Sequence, residues 1–181
     1  MPKNNYEIIV VDDASTDHSR EVINSFSGFI RPVLNEVNMG LGASCNRGLK
    51  MALGRFVIRV DADDYVHHDL LAITDLYMSL NYDRCDAVSV DYLEVDEQEH
   101  ILGRKSPIEH PIACGVAFKM DVLNKIGLYD GSLRISEETE LMSRFLAAGY
   151  TVDHLPMPLY RYKKHPNSLT ATHSRGDNKC V

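Results

Sequence analysis

The sequence predicts an α/β fold with a mostly parallel sheet flanked by helices, and two observations carry that prediction. Short apolar runs alternate with segments of helical periodicity along the first half of the chain, the order that builds a parallel sheet through crossover helices. Two of those runs stop abruptly at carboxylates, Tyr6-Glu7-Ile8-Ile9-Val10-Val11-Asp12-Asp13 and Arg55-Phe56-Val57-Ile58-Arg59-Val60-Asp61-Ala62-Asp63-Asp64. Open α/β sheets bind ligands in the crevice at the carboxyl ends of their strands, so the acids mark the candidate site.

The elements follow in order. A strand is expected over Tyr6–Asp12, and Ser15-Thr16-Asp17 supplies N-cap residues for a helix carrying Val22, Ile23 and Phe26, closed by Gly28. Phe29–Asn35 reads as a second strand, and Pro32 marks it as an edge because proline donates no ladder bond. The small residues from Asn38 to Gly48 lead into a helix ending at Gly54, and Phe56–Val60 forms the third strand. Leu70, Ile73, Leu76, Tyr77 and Leu80 predict a helix from His68 to Leu80, followed by a strand at Ala87–Val90. Asp91–Ser106 is acidic and weakly patterned, a hairpin or a loop. Ala113–Phe118 and Thr151–His154 read as further strands, and Leu159–Tyr162 as an added edge. Between them Ser136 is an N-cap candidate, the acids after it suit the helix dipole, and Gly149 is a stop. Leu141, Phe145 and Ala148 form the apolar stripe of that helix, Glu138 begins the same face, and Glu140 with Arg144 is a surface i,i+4 pair. Past Thr170 the chain is polar enough to fray, giving one domain over 1–170 and a tail over 171–181.

Composition bounds the function. The 181 residues suffice for one domain with its own core, and 44% hydrophobic with 25% charged residues is ordinary for a soluble globular chain. A net charge of −7 with no basic cluster argues against a nucleic-acid partner. Acids gathered at strand ends point to a cation instead. The four cysteines are widely spaced, which disfavours a zinc site and a disulfide framework, and the expected location is the cytoplasm. No run approaches the ~20 apolar residues of a membrane span. Peripheral attachment at the inner face of a membrane, and a homo-oligomer, stay open.

Asp61-x-Asp63 at a strand end places two hard oxygen ligands on one side, with Asp64 turned away, an arrangement suited to Mg²⁺ or Mn²⁺ completed by substrate phosphate oxygens. The same acids could instead cap the following turn. Asp12 and Asp13 could accept bonds from a nucleobase or ribose, or cap the Ser15 turn. Asn38 and Gly40 could let backbone approach a ligand, or serve a tight turn. Glu137 and Glu138 either complement a helix dipole or include a general base. His165, in Arg161-Tyr162-Lys163-Lys164-His165-Pro166, reads by itself as exposed.

In this order the segments YEIIVVDDASTD, NMGLGASCNRG, RFVIRVDADD, GVAF, GLYD, SEETELMSRFLAAGY and YRYKKHPNS resemble the inverting, nucleotide-sugar-dependent glycosyltransferases of family 2, with the Rossmann-like GT-A fold. The likeness runs from Tyr6 to about Thr170. It implies that Asp13, aided by Asp12, contacts the base and ribose of the donor nucleotide, with Asn38, Gly40 and Arg47 nearby. Asp61 would lie against the ribose, and Asp63 would hold Mg²⁺ or Mn²⁺ on the diphosphate with help from Asp61 and His165. Glu138 matches the base that deprotonates the acceptor hydroxyl for direct, inverting attack. The implied activity is hexosyltransferase-like, as in polysaccharide biosynthesis, with a UDP-linked donor and a saccharide or lipid-linked acceptor.

Three departures shape these expectations. Glutamate stands where the base is commonly aspartate, which keeps Glu137 beside Glu138 as a candidate. Cys45 stands where an arginine often precedes Asn46, leaving Arg47 as its substitute. Members commonly open with another strand and helix before YEIIVVDD, so the resemblance implies an N-terminally truncated version. Two rivals accompany this reading. One is a catalytically silent nucleotide-sugar binding or assembly module of the same fold. The other is a phosphoacceptor receiver domain, which needs a lysine commonly followed by proline, whereas Lys119 precedes Met120.

Overall fold

The computed structural model describes residues 5–112 and 114–164, so His165 and the expected tail lie outside the described residues. The elements are β1 (Ile9–Asp12), α1 (Ser19–Ser25), β2 (Arg31–Leu34), α2 (Leu41–Met51), β3 (Phe56–Ile58), β4 (Tyr65–Val66) and α3 (Leu70–Leu80). There follow β5 (Ala87–Val95), β6 (Ile101–Lys105), β7 (Val116–Lys119), α4 (Met120–Ile126), α5 (Glu137–Ala147) and β8 (Val152–Lys163). β1 and β2 form a parallel pair, and a second sheet runs in the order β3-β7-β5-β8-β4 with β6 added to β5.

Alternation along the strands gives the second sheet two apolar faces. Ala87, Val116 and Phe118 meet Val122 and Leu123 of α4 and Leu141 and Phe145 of α5. Val88 and Ala117, one residue out of phase, meet Met78 of α3. Helices on both faces make this an α/β fold, as the sequence predicts. α2 lies against β1 because Gly48 has no side chain; a Cβ there would sit 3.0 Å from Val11 Cγ2. Among the described residues no helix is long and apolar enough to cross a membrane.

The parallel share is smaller than expected. β1–β2 and β5–β8 are parallel, whereas β3–β7, β5–β7, β5–β6 and β4–β8 are antiparallel. For β5–β6 the reason is connection length: a parallel neighbour needs a crossover of a dozen or more residues, and β6 follows β5 after a short turn. Asp96 shapes that turn by accepting from Gln98 N at 2.9 Å and His100 N at 2.8 Å, so the hairpin alternative holds for 91–106.

Other differences have local causes. The two late strands merge into β8, whose register against β5 shifts around Asp91, opposite Pro156 and Pro158, which have no N–H to give the ladder. α4 had no counterpart in the sequence reading; it is seven residues long, buries Val122 and Leu123, and stops at Gly127, where φ is 85°. Ser136 precedes α5 in the left-handed region and makes no side-chain cap bond. α1 shows an apolar stripe without a partner helix: Val22 and Phe26 are exposed. Arg144, expected as surface support, holds Glu140 and donates to the carbonyls of Ile126, Gly127 and Leu128 at 2.7, 2.8 and 2.7 Å, tying α5 to the end of α4.

Candidate functional site

The first half of the site sits where β1 ends. Asp12 is buried: its carboxylate accepts from Ser15 N and from Arg20 Nε at 2.7 Å, while Arg20 Nη2 also holds the carbonyl of Asn35. That carboxylate is spent on the chain, which matches the capping alternative. Asp13 lies beside it and accepts from Met39 N, Gly40 N and Asn35 Nδ2, each at 2.8 Å. The buried Asn35 also donates to Ser44 Oγ at 2.9 Å and accepts from Arg47. Arg47 therefore braces Asn35, and Asn38 reaches the Asp13 carbonyl at 3.4 Å. Gly40 opens α2 with φ of 85°, and a Cβ there would collide with the guanidinium of Arg134.

Burial raises the pKa of Asp13, but bonds from Met39, Asn35, Ser44 and Gly40 outweigh it and leave the pKa lowered. A carboxylate depressed in the folded state contributes stability above its unfolded pKa of about 3.9 and loses it as pH falls through the folded value. Asp13→Asn is therefore expected to cost stability at pH 7, with the gap to the unaltered chain closing below about pH 4. Urea melts at both pH values check this; an equal gap at each contradicts it.

The second half follows β3. Residues 61–64 make a turn closed by Asp64 N donating to Asp61 O at 3.1 Å, so strand alternation does not apply and Asp64 points inward, opposite to expectation. Its carboxylate accepts from Tyr160 Oη at 2.7 Å and Lys163 N at 2.8 Å, and Asp61 N donates to the same Tyr160 oxygen at 3.2 Å. Burial is the main cause of a raised Asp64 pKa, with Asp63 and Asp61 adding to it. Asp63 is exposed on the turn.

Ligand atoms of Asp61, Asp64 and Cys114 lie within 4.8 Å of one another. They do not make a ready cation cage, because burial pushes the Cys114 thiol up to about 12 and Asp64 is already engaged. Asp61 and Asp63 fit a hard cation better: both are carboxylates, Asp63 is exposed, and each oxygen of Asp61 keeps a further lone pair.

α5 brings Glu138 to this cluster. Arg59 Nε and Nη2 bind the two oxygens of Asp61 at 2.8 and 3.1 Å, and Arg59 Nη1 binds Glu138 Oε1. Glu137, the other base candidate, is 3% exposed and packs its Cγ towards Gly42 of α2. Asn46 fixes α2 against the chain before α5, accepting from Tyr129 N at 2.9 Å and donating to Tyr129 O at 2.7 Å. The sequence reading missed Arg59, Asn35, Asn46 and Tyr160. Arg59 had a signal: it stands two residues before Asp61 in an extended run, hence on the same face. An open groove of about 620 Å³ lies along the end of β1 and the start of α1, lined by Val10, Val11, Asp12, Asp13, Val22 and Ile23 among others, and Ala62 of the turn after β3 reaches it.

The pattern described as "Glycosyl transferase family 2" matches residues 1–140, so the chain belongs to that family. It is 36% identical over 106 residues to "Glycosyltransferase GlyA" of Streptococcus pneumoniae serotype 4, covering 55% of this chain and 15% of that protein. It is 35% identical to "Uncharacterized glycosyltransferase YibD" of Escherichia coli K12, covering 94% of this chain and 56% of that one. The chain thus spans only part of the length of these relatives. In structure it is similar to residues 1–349 of S. aureus TarS, solved with UDP, with a TM-score of 0.76 at 23% identity over 92% of this chain and 53% of that one. TarS has also been solved with UDP-GlcNAc. The fold is GT-A.

Proposed function

We propose that the chain binds a UDP-linked sugar at the Asp13 and Asp61 turns, beside the groove that Asp13 and Ala62 line, and transfers the sugar to an acceptor hydroxyl with inversion. One observation carries this reading: Glu138 and Asp61, far apart in sequence, share a single ion-paired cluster through Arg59. The similarity to TarS, which binds UDP and UDP-GlcNAc, supports the choice of donor. A saccharide or lipid-linked molecule would supply the hydroxyl.

Asp13, which lines the groove, holds the backbone of Met39 and Gly40 in place. Glu138 would take the proton of the acceptor hydroxyl as its oxygen attacks the anomeric carbon. The bond to the diphosphate breaks in the same step, and its electron pair leaves with the nucleoside diphosphate. Asp63 and Asp61 would hold Mg²⁺ or Mn²⁺, which when bound supplies charge neutralisation of the diphosphate. Two carboxylates alone make a poor cage, so cation and UDP are expected to bind cooperatively.

Calorimetric titration of UDP with and without Mn²⁺ tests this. Asp63→Asn is expected to weaken UDP and cation together. UDP affinity unchanged by metal removal or by that substitution would reject the metal assignment, and no UDP binding at all would reject the donor. Donor binding without hydrolysis or transfer would instead favour the silent module.

A further inference from the structure

Resting on the glycosyltransferase reading for its purpose but not for its geometry, we propose that Arg59 is a positioning residue that fixes the separation of Asp61 and Glu138. The case begins with the shape of guanidinium, a planar fork whose donors can serve two carboxylates at once. Nε and Nη2 occupy both oxygens of Asp61, which leaves Nη1 for Glu138. A lysine ammonium is a point charge and cannot reproduce that spread.

The guanidinium is itself held. Arg59 follows β3 directly, and its carbonyl accepts from Gly115 N at 3.1 Å, which anchors its backbone beside the start of β7. Its side chain is 18% exposed. A guanidinium stays protonated in proteins, and both Asp61 and Glu138 pair with its charge. Two titratable groups that also interact with Arg59 carry no competing charge: burial pushes the Cys45 thiol up to about 11 and the Tyr129 hydroxyl up to about 12. Arg59 thus places a cation between the two acids, and without it like charges would face each other across the site.

A paired set of substitutions separates positioning from bulk structure. With UDP and Mn²⁺ as the probe, Arg59→Gln is expected to weaken UDP binding roughly 3- to 30-fold, Arg59→Lys less, and Arg59→Gln in an Asp61→Asn background less than about twofold. Equal losses in both backgrounds, or no loss in either, overturn the proposal. If Arg59→Gln does not melt cooperatively, the same cycle is run with Arg59→Lys, on the same criterion.

A second readout needs no ligand. In ¹⁵N-arginine-labelled protein the Arg59 Nε–H signal, assigned by its absence in Arg59→Lys, should move on Glu138→Gln; an unmoved signal overturns the proposal. If the unaltered chain binds no UDP, the donor reading fails, and this signal still decides the role of Arg59.

Discussion

Glu138→Gln is expected to lower turnover of a UDP-linked sugar by ~10²–10⁴-fold while UDP affinity stays within about twofold. The amide keeps the size of the side chain and an oxygen facing Arg59, so what it removes is the capacity to accept a proton. Loss of turnover without loss of donor affinity separates a base from a binding group. Glu137→Gln should lose less turnover, because its side chain is buried and packs towards Gly42 of α2. Donor turnover and UDP calorimetry on both variants check this. The reverse ranking would shift the base by one residue, to Glu137.

Phe145→Ala should be the most damaging change away from the site, costing about 3–5 kcal/mol. Phe145 is fully buried and stacks edge-on with Phe118 at 5.4 Å, with Tyr150 at 5.5 Å on its other side. Its loss leaves a cavity between α5 and the sheet, and α5 is the helix that carries Glu138. Against a typical total stability of ~5–15 kcal/mol, such a loss leaves little margin. Leu146→Ala, at a neighbouring exposed position, should change stability by no more than about 0.5 kcal/mol. Urea melts of the two variants check the contrast; similar losses would contradict the packing of α5.

Periodicity and caps made most of the elements legible. Leu70, Ile73, Tyr77 and Leu80 announce α3, Leu141 and Phe145 announce α5, and Pro32 marks β2 as an edge, which among the described residues pairs with β1 alone. Short or broken elements carry too little pattern. β4 has two residues, α4 two turns, and the prolines at 156 and 158 hide the continuity of β8. Strand direction was misjudged because pairing depends on where connections travel, which local pattern does not encode.

At the site, the acids at the ends of β1 and β3 were visible as chemistry, but their roles depend on partners distant in sequence. Asp12 is committed to Arg20, Asp13 to the turn before α2, and Asp64 to β8. The sequence puts Arg59 on the face of Asp61 but does not show what else it meets. Only the approach of α5 gives it Glu138 as a partner.

The pinning of the Asp61 turn by Tyr160 and Lys163 has a consequence for the order of folding. Those bonds close loops of nearly a hundred residues, with sequence separations of 99, 96 and 99. The β5–β8 ladder, from Ala87↔Val152 to Val95↔Lys163, is similarly non-local. Contacts of such high order bring their reward late, after the entropy of closing the loop has been met. On a ribosome, β3 and the acids after it emerge long before Tyr160, so the Asp61 turn waits without its anchor until β8 is made. Pulse-labelling hydrogen exchange during refolding should show the amides of Asp61 and Lys163 gaining protection together, and after those of α3.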